Sequence, residues 1–339
     1  MKALRCNAFG PIDTLQVQDI PSPSPAAGEV LVDVHAASIN FPDALMVQGL
    51  YQVKPQVPFT PGAELAGVVS AVGEGVTQVK VGDRVACSTG TGAFAEQAIA
   101  QASRVIPLPE GMDYAAGASF VLVYGTSLHA LKTIGKLQPG ETLLVLGAAG
   151  GVGIAAIEIA KAMGARVIAA ASSEEKRALA RQAGADETVD YTQPEWRREV
   201  ERLTQGEGAD VVYDAVGGAY AEPALRATAW RGRYLVVGFA AGDIPKLPLN
   251  LALLKERAIL GVFWGAAMAR DPAQLRTDLQ QLADWFKAGR VKPPVTERVS
   301  LADAASAIAR LASRQAMGKI VVLPRGRTFQ VEAVRASAA

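Results

Sequence analysis

The sequence predicts an α/β protein of two domains, a partly closed β-barrel and a doubly wound parallel sheet. Three features point that way. The stretch from Leu143 to Gly153 reads Leu-Leu-Val-Leu-Gly-Ala-Ala-Gly-Gly-Val-Gly, an aliphatic run that ends in small residues and then takes on helical spacing through Met163. That is how a buried parallel strand reads when it turns sharply into a helix. From Glu141 to about Gly261, strand and helix patterns alternate, the rhythm of an open parallel sheet. Before about residue 120 the chain carries many short β-rich runs with Gly turns, which suits a barrel better than a doubly wound unit.

In order, Val30 to Val34 alternates and runs through Ala-Ala-Ser-Ile-Asn into a turn at Pro42 and Asp43. Val57 to Pro61 is a proline-punctuated loop. Leu65–Val72 and Val79–Cys87, the latter around Gly82-Asp83, read as hairpin-linked strands, and Gly92–Ala98 and Arg104–Pro107 as two more. Helices are expected at Asp113–Ala118 and Tyr124–Thr133, with Pro139-Gly140 turning into the strand that opens the sheet. Within the sheet, Arg166–Ala171, Glu187–Asp190, Val211–Asp214 and Tyr234–Val237 are strands; Glu174–Ala183, Glu195–Leu203 and Ala219–Ala227 are helices. Helices Gln274–Ala288 and Ala302–Ala312 flank a Pro293-Pro294 turn. Lys319–Leu323 is a final strand returning to the first domain, and a loose tail follows from Arg325. The domains so drawn are 1–121 with 262–339, and 122–261.

At 339 residues the chain has room for two domains. Its 34 basic and 33 acidic residues nearly cancel, for a formal charge of +1. No basic stripe argues for nucleic acid or an anionic membrane surface. The first ten residues lack a signal-peptide core, and the most apolar windows are glycine-interrupted and shorter than a membrane span. Cys6 and Cys87 are too few for a disulfide framework or a four-cysteine zinc lobe. A cytoplasmic enzyme is expected.

The chemistry of the organising stretch follows from its small residues. Ala148, Gly150 and Gly153 fill the three slots of a dinucleotide fingerprint, with Ala in the first. The second slot lets backbone approach a pyrophosphate, and the third lets helix pack close to strand. The following helix offers its first N–H groups and positive dipole end to phosphate, through Ala149, Gly150, Gly151 and Val152.

Several motifs together resemble the medium-chain dehydrogenase/reductase superfamily, and within it the zinc-free quinone oxidoreductase branch. They are Ala36-Ala37-Ser38-Ile39-Asn40 with Asp43, Pro61-Gly62-Ala63-Glu64-Leu65-Ala66-Gly67, Val81-Gly82-Asp83-Arg84-Val85 and Tyr124-Gly125-Thr126. The glycine loop, Gly238-Phe239-Ala240-Ala241-Gly242 and Met317-Gly318-Lys319 complete the set, covering nearly the whole chain to about Pro324. The resemblance implies a GroES-like β-barrel domain made from both chain ends, with a Rossmann domain inserted between them, and a homodimer paired through the cofactor domains.

Zinc-dependent relatives carry a cysteine in the first motif and a His-Glu pair in the second, where this chain has Asn40 and Ala63, leaving Glu64 without a histidine. The two histidines, His35 and His129, lie in apolar contexts far apart in sequence. A catalytic zinc needs three protein ligands in tight geometry, so no metal is expected. An NAD site usually has an acidic residue at the tip of its second strand; here that tip is Ala169-Ala170-Ala171-Ser172-Ser173. Lys176 then gives the Ser-x-x-Lys pattern of relatives that bind NADPH, whose 2′-phosphate would gain charge-assisted bonds from Lys176 and Ser173. Tyr191 matches the tyrosine that closes this pocket in relatives. Ser172 and Ser173 also suit a helix cap, which is compatible.

At the reacting end, the resemblance implies that Asn40 sits near nicotinamide and substrate, where its amide donates to a carbonyl oxygen; its alternative is a turn-capping Asn ahead of Pro42. Tyr51 matches a substrate-pocket tyrosine and is a candidate donor to a developing enolate or quinol oxygen; Asp43 is read as holding its loop. Thr126, placed at a helix start, matches a nicotinamide-side contact, and its alternative is a helix cap. Gly238, Phe239, Phe263, Trp264 and Lys319 complete the implied cofactor contacts, with core packing as the alternative for the three aromatics at strand ends. Leu45 stands where some quinone reductases have a second tyrosine. The reaction expected is hydride transfer from NADPH to a small-molecule quinone or related electrophilic carbonyl. The alternatives are an enoyl or alkenal reductase and, in another class, a non-catalytic NADPH-binding protein.

Overall fold

A computed structural model describes residues 1–326 of the chain; the rest of the tail expected from Arg325 lies outside them. Two compact units emerge: 1–122 with the described part of 293–339, and 123–292. The chain leaves and re-enters the first unit, so strands far apart in sequence share one sheet.

Seven segments of the N-terminal part form strands: Lys2–Arg5 (β1), Gln16–Asp19 (β2), Glu29–Ser38 (β3), Glu64–Val72 (β4), Arg84–Ser88 (β5), Gln97–Gln101 (β6) and Val105–Pro107 (β7). Short helices Phe41–Val47 (α1) and Tyr114–Gly117 (α2) interrupt them. β3, Val-rich and buried along nearly its whole length, is the hub: it pairs antiparallel with β4 and with β6. The expected strand over Val79–Cys87 is confined to β5, because Gly82 turns at φ 92° and the Asp83 carboxylate accepts the Lys80 amide. The expected Gly92–Ala98 strand is displaced to β6.

The boundary between the units falls within helix Val121–Leu128 (α3), which begins earlier than the sequence suggests and continues as a π-helical stretch, His129–Ile134. There follow strand Thr142–Leu146 (β8), helix Gly151–Ala162 (α4), strand Arg166–Ala171 (β9), helix Glu174–Gln182 (α5) and strand Glu187–Asp190 (β10). Next come helix Trp196–Leu203 (α6), strand Ala209–Asp214 (β11), helix Ala221–Arg226 (α7) and strand Thr228–Val236 (β12). Helix Asn250–Leu253 (α8), strand Ala258–Gly261 (β13), and helices Trp264–Arg270 (α9) and Pro272–Lys287 (α10) complete it. The six strands make one parallel sheet in the order β10-β9-β8-β11-β12-β13. β8, all Leu and Val after its first residue and buried, lies inside it as the aliphatic run requires.

The segment 262–292, which the sequence places with the barrel, belongs to this second unit. Side chains explain the difference. Trp264 packs against Gly125, and Lys132 Nζ donates to Asp278 at 2.9 Å and Gln281 at 2.7 Å, fastening α10 to the π-helical stretch. The return to the first unit brings strand Val295–Ser300 (β14), helix Ala304–Ala312 (α11) and strand Lys319–Leu323 (β15). β15 pairs antiparallel with β3, Val321 opposite Ser38, and gives the sheet order β14-β15-β3-β4-β5-β7 with β6 on β3. Arg325, expected to start a loose tail, is tied down: its guanidinium donates to Asp33 at 2.8 Å and to the Glu96 carbonyl.

Candidate functional sites of the two units

In the second unit, the turn after β8 depends on glycine at specific places. Gly147 takes φ 70°. A Cβ on Gly153 would stand 2.3 Å from the Gly147 carbonyl oxygen, closer than any side chain tolerates. A Cβ on Gly150 would meet nothing nearer than 3.4 Å. Gly153 is thus required by the protein's own packing, whereas Gly150 leaves open space in front of the backbone. Gly150 is the N-cap of α4, and no side chain caps that helix, which leaves its first N–H groups and positive dipole end without a side-chain partner. Ala149 is buried behind the loop, and Gly151 and Val152 are half-buried. The Val152 carbonyl accepts from Ser127 Oγ at 3.0 Å, and Ser127 in turn meets Tyr213 at 3.0 Å, a brace from α3 that the motif gave no sign of.

Beyond β9 the structure brings Ser172, Ser173 and Lys176 together. Ser173 Oγ accepts the Lys176 amide at 3.3 Å as the N-cap of α5, and Lys176 Nζ donates to Ser172 Oγ at 3.3 Å. Glu174 is held by Arg177 and Arg181, whose hydrogen bonds keep its carboxyl below the ordinary range. Asp190 pairs with Arg177 at 3.1 Å. Tyr191 stacks at 4.5 Å on Tyr220.

Two expectations here need correcting. Thr126 lies inside α3, not at its start, so it is no helix cap. Trp264 is buried against Gly125, where a Cβ would meet its ring at 2.4 Å; that indole is packing, not an open ring face. Phe263 beside it is exposed, and Gly238 and Phe239 are half-buried at the end of β12. Glu158 on α4 is a further group the sequence did not single out. Its Oε2 accepts Tyr124 Oη at 2.7 Å and the Lys292 amide at 2.8 Å, and burial pushes it up to about 7.

In the first unit, β3, α1, β4 and β15 bring Ser38, Asn40, Asp43, Glu64 and Lys319 into one buried cluster. Lys319 Nζ donates to Asn40 Oδ1 at 2.7 Å, to the Ile39 carbonyl at 3.2 Å and to Glu64 Oε1 at 3.3 Å. Glu64 also accepts from Ser38 Oγ, from Asn40 Nδ2 at 3.0 Å and, on Oε2, from the Leu122 amide at 2.9 Å. Burial holds the Lys319 ammonium below its ordinary range, with Glu64 and Asp43 opposing that shift. Lys319, expected to touch cofactor, is 3% exposed and serves as the counter-cation of Glu64.

The expected role of Asn40 also changes. Its amide nitrogen faces Ser38 O at 3.3 Å, Ser38 Oγ at 3.2 Å and Glu64 at 3.0 Å. Two N–H bonds are already matched by three acceptors, so in this arrangement the amide has no hydrogen to give a substrate oxygen. Tyr51, half-buried against the barrel core, keeps its phenol; burial first and the Asp43 charge second push its hydroxyl above the ordinary range. Among the described residues, no three His, Cys, Asp or Glu side chains come together as a metal site, and no helix is long and apolar enough to cross a membrane.

Comparison with known proteins matches residues 26–110 to the alcohol dehydrogenase GroES-like domain and 151–288 to the zinc-binding dehydrogenase model. A quinone oxidoreductase-like protein 2 homolog from Nematostella vectensis is 37% identical over 95% of this chain and 88% of its own length. A quinone oxidoreductase of Pseudomonas aeruginosa is also 37% identical, over 95% of this chain and 99% of its own. A mycobacterial structure solved in complex with NADPH superposes with a TM-score of 0.90 at 32% identity, covering 96% of this chain and 100% of that one.

Proposed function

The chain belongs to the medium-chain dehydrogenase/reductase family, in its quinone oxidoreductase branch, and from that premise we propose that it is an NADPH-dependent reductase acting on a quinone or related electrophilic carbonyl without a metal. The observation that carries the metal-free part is the cation on Glu64: it is Lys319, with oxygens at 2.7, 3.2 and 3.3 Å around its ammonium. Glu64 is thereby neutralised from within, and Ala63 and Asn40 supply no thiolate or imidazole.

The residues of the second unit fit the dinucleotide. The Gly150, Gly151 and Val152 backbone at the uncapped α4 terminus holds the pyrophosphate, and Gly153 keeps that helix tight on β8. Lys176 with Ser173 takes a 2′-phosphate, and Tyr191 closes over the adenine side. Thr126, Gly238, Phe239 and Phe263 line the nicotinamide side. When bound, NADPH supplies the hydride. Tyr51 donates to the oxygen on which negative charge develops, and water is the second source of that proton. Asn40 acts by fixing Lys319 and Glu64, since its amide is spent on them. No further acid is required of the protein, because the acceptors are already electrophilic.

A homodimer is part of the same reading. β13 is an edge strand of the parallel sheet, and Trp230, Ile244, Leu249, Leu253 and Leu254 of that unit are exposed. Exposed apolar side chains and an edge strand in the same unit support association with a second copy.

NADPH consumption with 1,2- and 1,4-quinones, alkenals and an unsaturated acyl thioester tests the acceptor. Turnover with quinones is expected to be fastest; binding of NADPH with no turnover on any acceptor sinks the enzyme reading in favour of a binding protein. Lys176→Ala should cost about tenfold or more in preference for NADPH over NADH, and an unchanged preference contradicts the cofactor assignment.

A further inference from the structure

Two carboxylates and one ammonium share the buried cluster of the first unit, and its hydrogen-bond donors are divided very unequally. Glu64 receives Ser38, Asn40, Lys319 and the Leu122 amide, the environment of an ionised group. Asp43, with no accessible surface, receives the Asn40 amide on Oδ2 at 2.7 Å, while Oδ1 meets no donor at hydrogen-bond geometry among the described residues, the Gly62 amide being the weakest influence on the carboxyl. An ionised carboxylate left that way is a poorly compensated buried charge; a carboxylic acid is not. The proton of the cluster therefore belongs on Asp43.

The charges acting on Asp43 are those of Glu64 from β4 and Lys319 from β15, and the charge of Asp43 acts in turn on Tyr51 from the segment after α1. Burial pushes Asp43 up to about 7; Glu64 adds to the rise, and Lys319 and the Asn40 and Gly62 amides oppose it. The charge of Asp43 in turn holds the proton on Tyr51. A neutral Asp43 releases that hold and leaves Tyr51 the stronger acid.

We propose that Asp43 is held as the neutral acid in this cluster and that its charge state gates proton donation by Tyr51. The gating half rests on the reductase reading above. In that reaction the acceptor carbon gains two electrons and a hydrogen as hydride from the reduced nicotinamide, and the carbonyl oxygen is left negative. The Tyr51 O–H breaks, its proton goes to that oxygen, and the tyrosinate regains a proton from water. Asp43 exchanges nothing with substrate. It is a positioning residue that acts through the Tyr51 phenol.

Three measurements test this, two of them without cofactor or turnover. Infrared spectra of ligand-free protein labelled with ¹³C at its Asp carboxyls should show a protonated-carboxyl C=O band at neutral pH that titrates near neutrality. Its absence in the wild type overturns the neutral-acid assignment, whatever any variant does. NMR of ¹³Cζ-labelled tyrosine, with Tyr51 assigned through Tyr51→Phe, should show Tyr51 titrating at lower pH in Asp43→Asn than in the wild type; an unmoved titration overturns the coupling. Failure of the quinone reading would appear separately, as absent turnover with both of these results intact. With quinone as acceptor, wild-type kcat should fall several-fold in a limb above neutrality to a lower plateau, and Asp43→Asn should remove that limb. A limb retained in the variant overturns the gate.

Discussion

Lys319 and Glu64 are both almost wholly buried, so each is the other's main compensation. Removing one member of such a pair typically costs about 3–5 kcal/mol, because a charge is stranded in apolar surroundings. Lys319→Met should lower stability by about that much in urea denaturation, and adding Glu64→Gln should restore most of it. Full cost in the double variant would mean that shape, not charge, sets the requirement. The titratable groups also set a pH dependence with two opposing signs. Glu158 and Asp43 have folded-state values raised to about 7 from 4.5 and 3.8. Their contribution is fully present below those unfolded values and is lost as pH rises through about 7. His35, lowered to about 4 from 6.5 mainly by burial, works the other way: its contribution is present above 6.5 and lost as pH falls through about 4. Thermal midpoints of Glu158→Gln should therefore fall less than the wild type's between about pH 5 and pH 8, and equal slopes would remove Glu158 from the balance. Little of this was legible beforehand. Lys319 meets Asn40 across 279 positions, and a contact of that range leaves no local pattern for a sequence reading to find.

Among the elements, the glycine turn between β8 and α4 separates two uses of one residue type. Gly153 serves packing and Gly150, in the proposed function, serves the approach of a ligand, so the two substitutions should behave differently. Gly153→Ala places a Cβ 2.3 Å from the Gly147 carbonyl and should lower the melting temperature. Gly150→Ala has room in the ligand-free protein; it should leave the melting temperature near the wild type's while weakening NADPH binding about tenfold or more in calorimetry. Equal melting losses in both would deny the distinction. This turn was readable because small residues at fixed spacing are a local signal. The start of α3 was not: Val121 to Val123 continue an apolar run that carries no capping residue, so the helix seemed to begin at Tyr124. The allegiance of α9 and α10 was hidden for the same reason that Lys319 was. It depends on Trp264 meeting Gly125 and Lys132 meeting Asp278, contacts that only the fold creates.

For the whole molecule, the order of motifs along the chain was enough to anticipate a barrel unit built from both chain ends, since β15 carries the strand pattern that closes onto β3. Association follows from surface chemistry. Leu249 and Leu253 are 77% and 76% exposed, so, for the homodimer proposed above, Leu249→Glu with Leu253→Glu should lower the mass in light scattering from two chains to one; an unchanged dimer mass places the interface elsewhere, and a monomeric wild type contradicts the proposal. The metal-free, NADPH-dependent reduction of a quinone is tested most directly by one assay: NADPH oxidation by enzyme exhaustively treated with a chelator, with a 1,4-quinone as acceptor. Turnover equal to that of untreated enzyme is expected. Loss of turnover on chelation, restored by zinc, would contradict it.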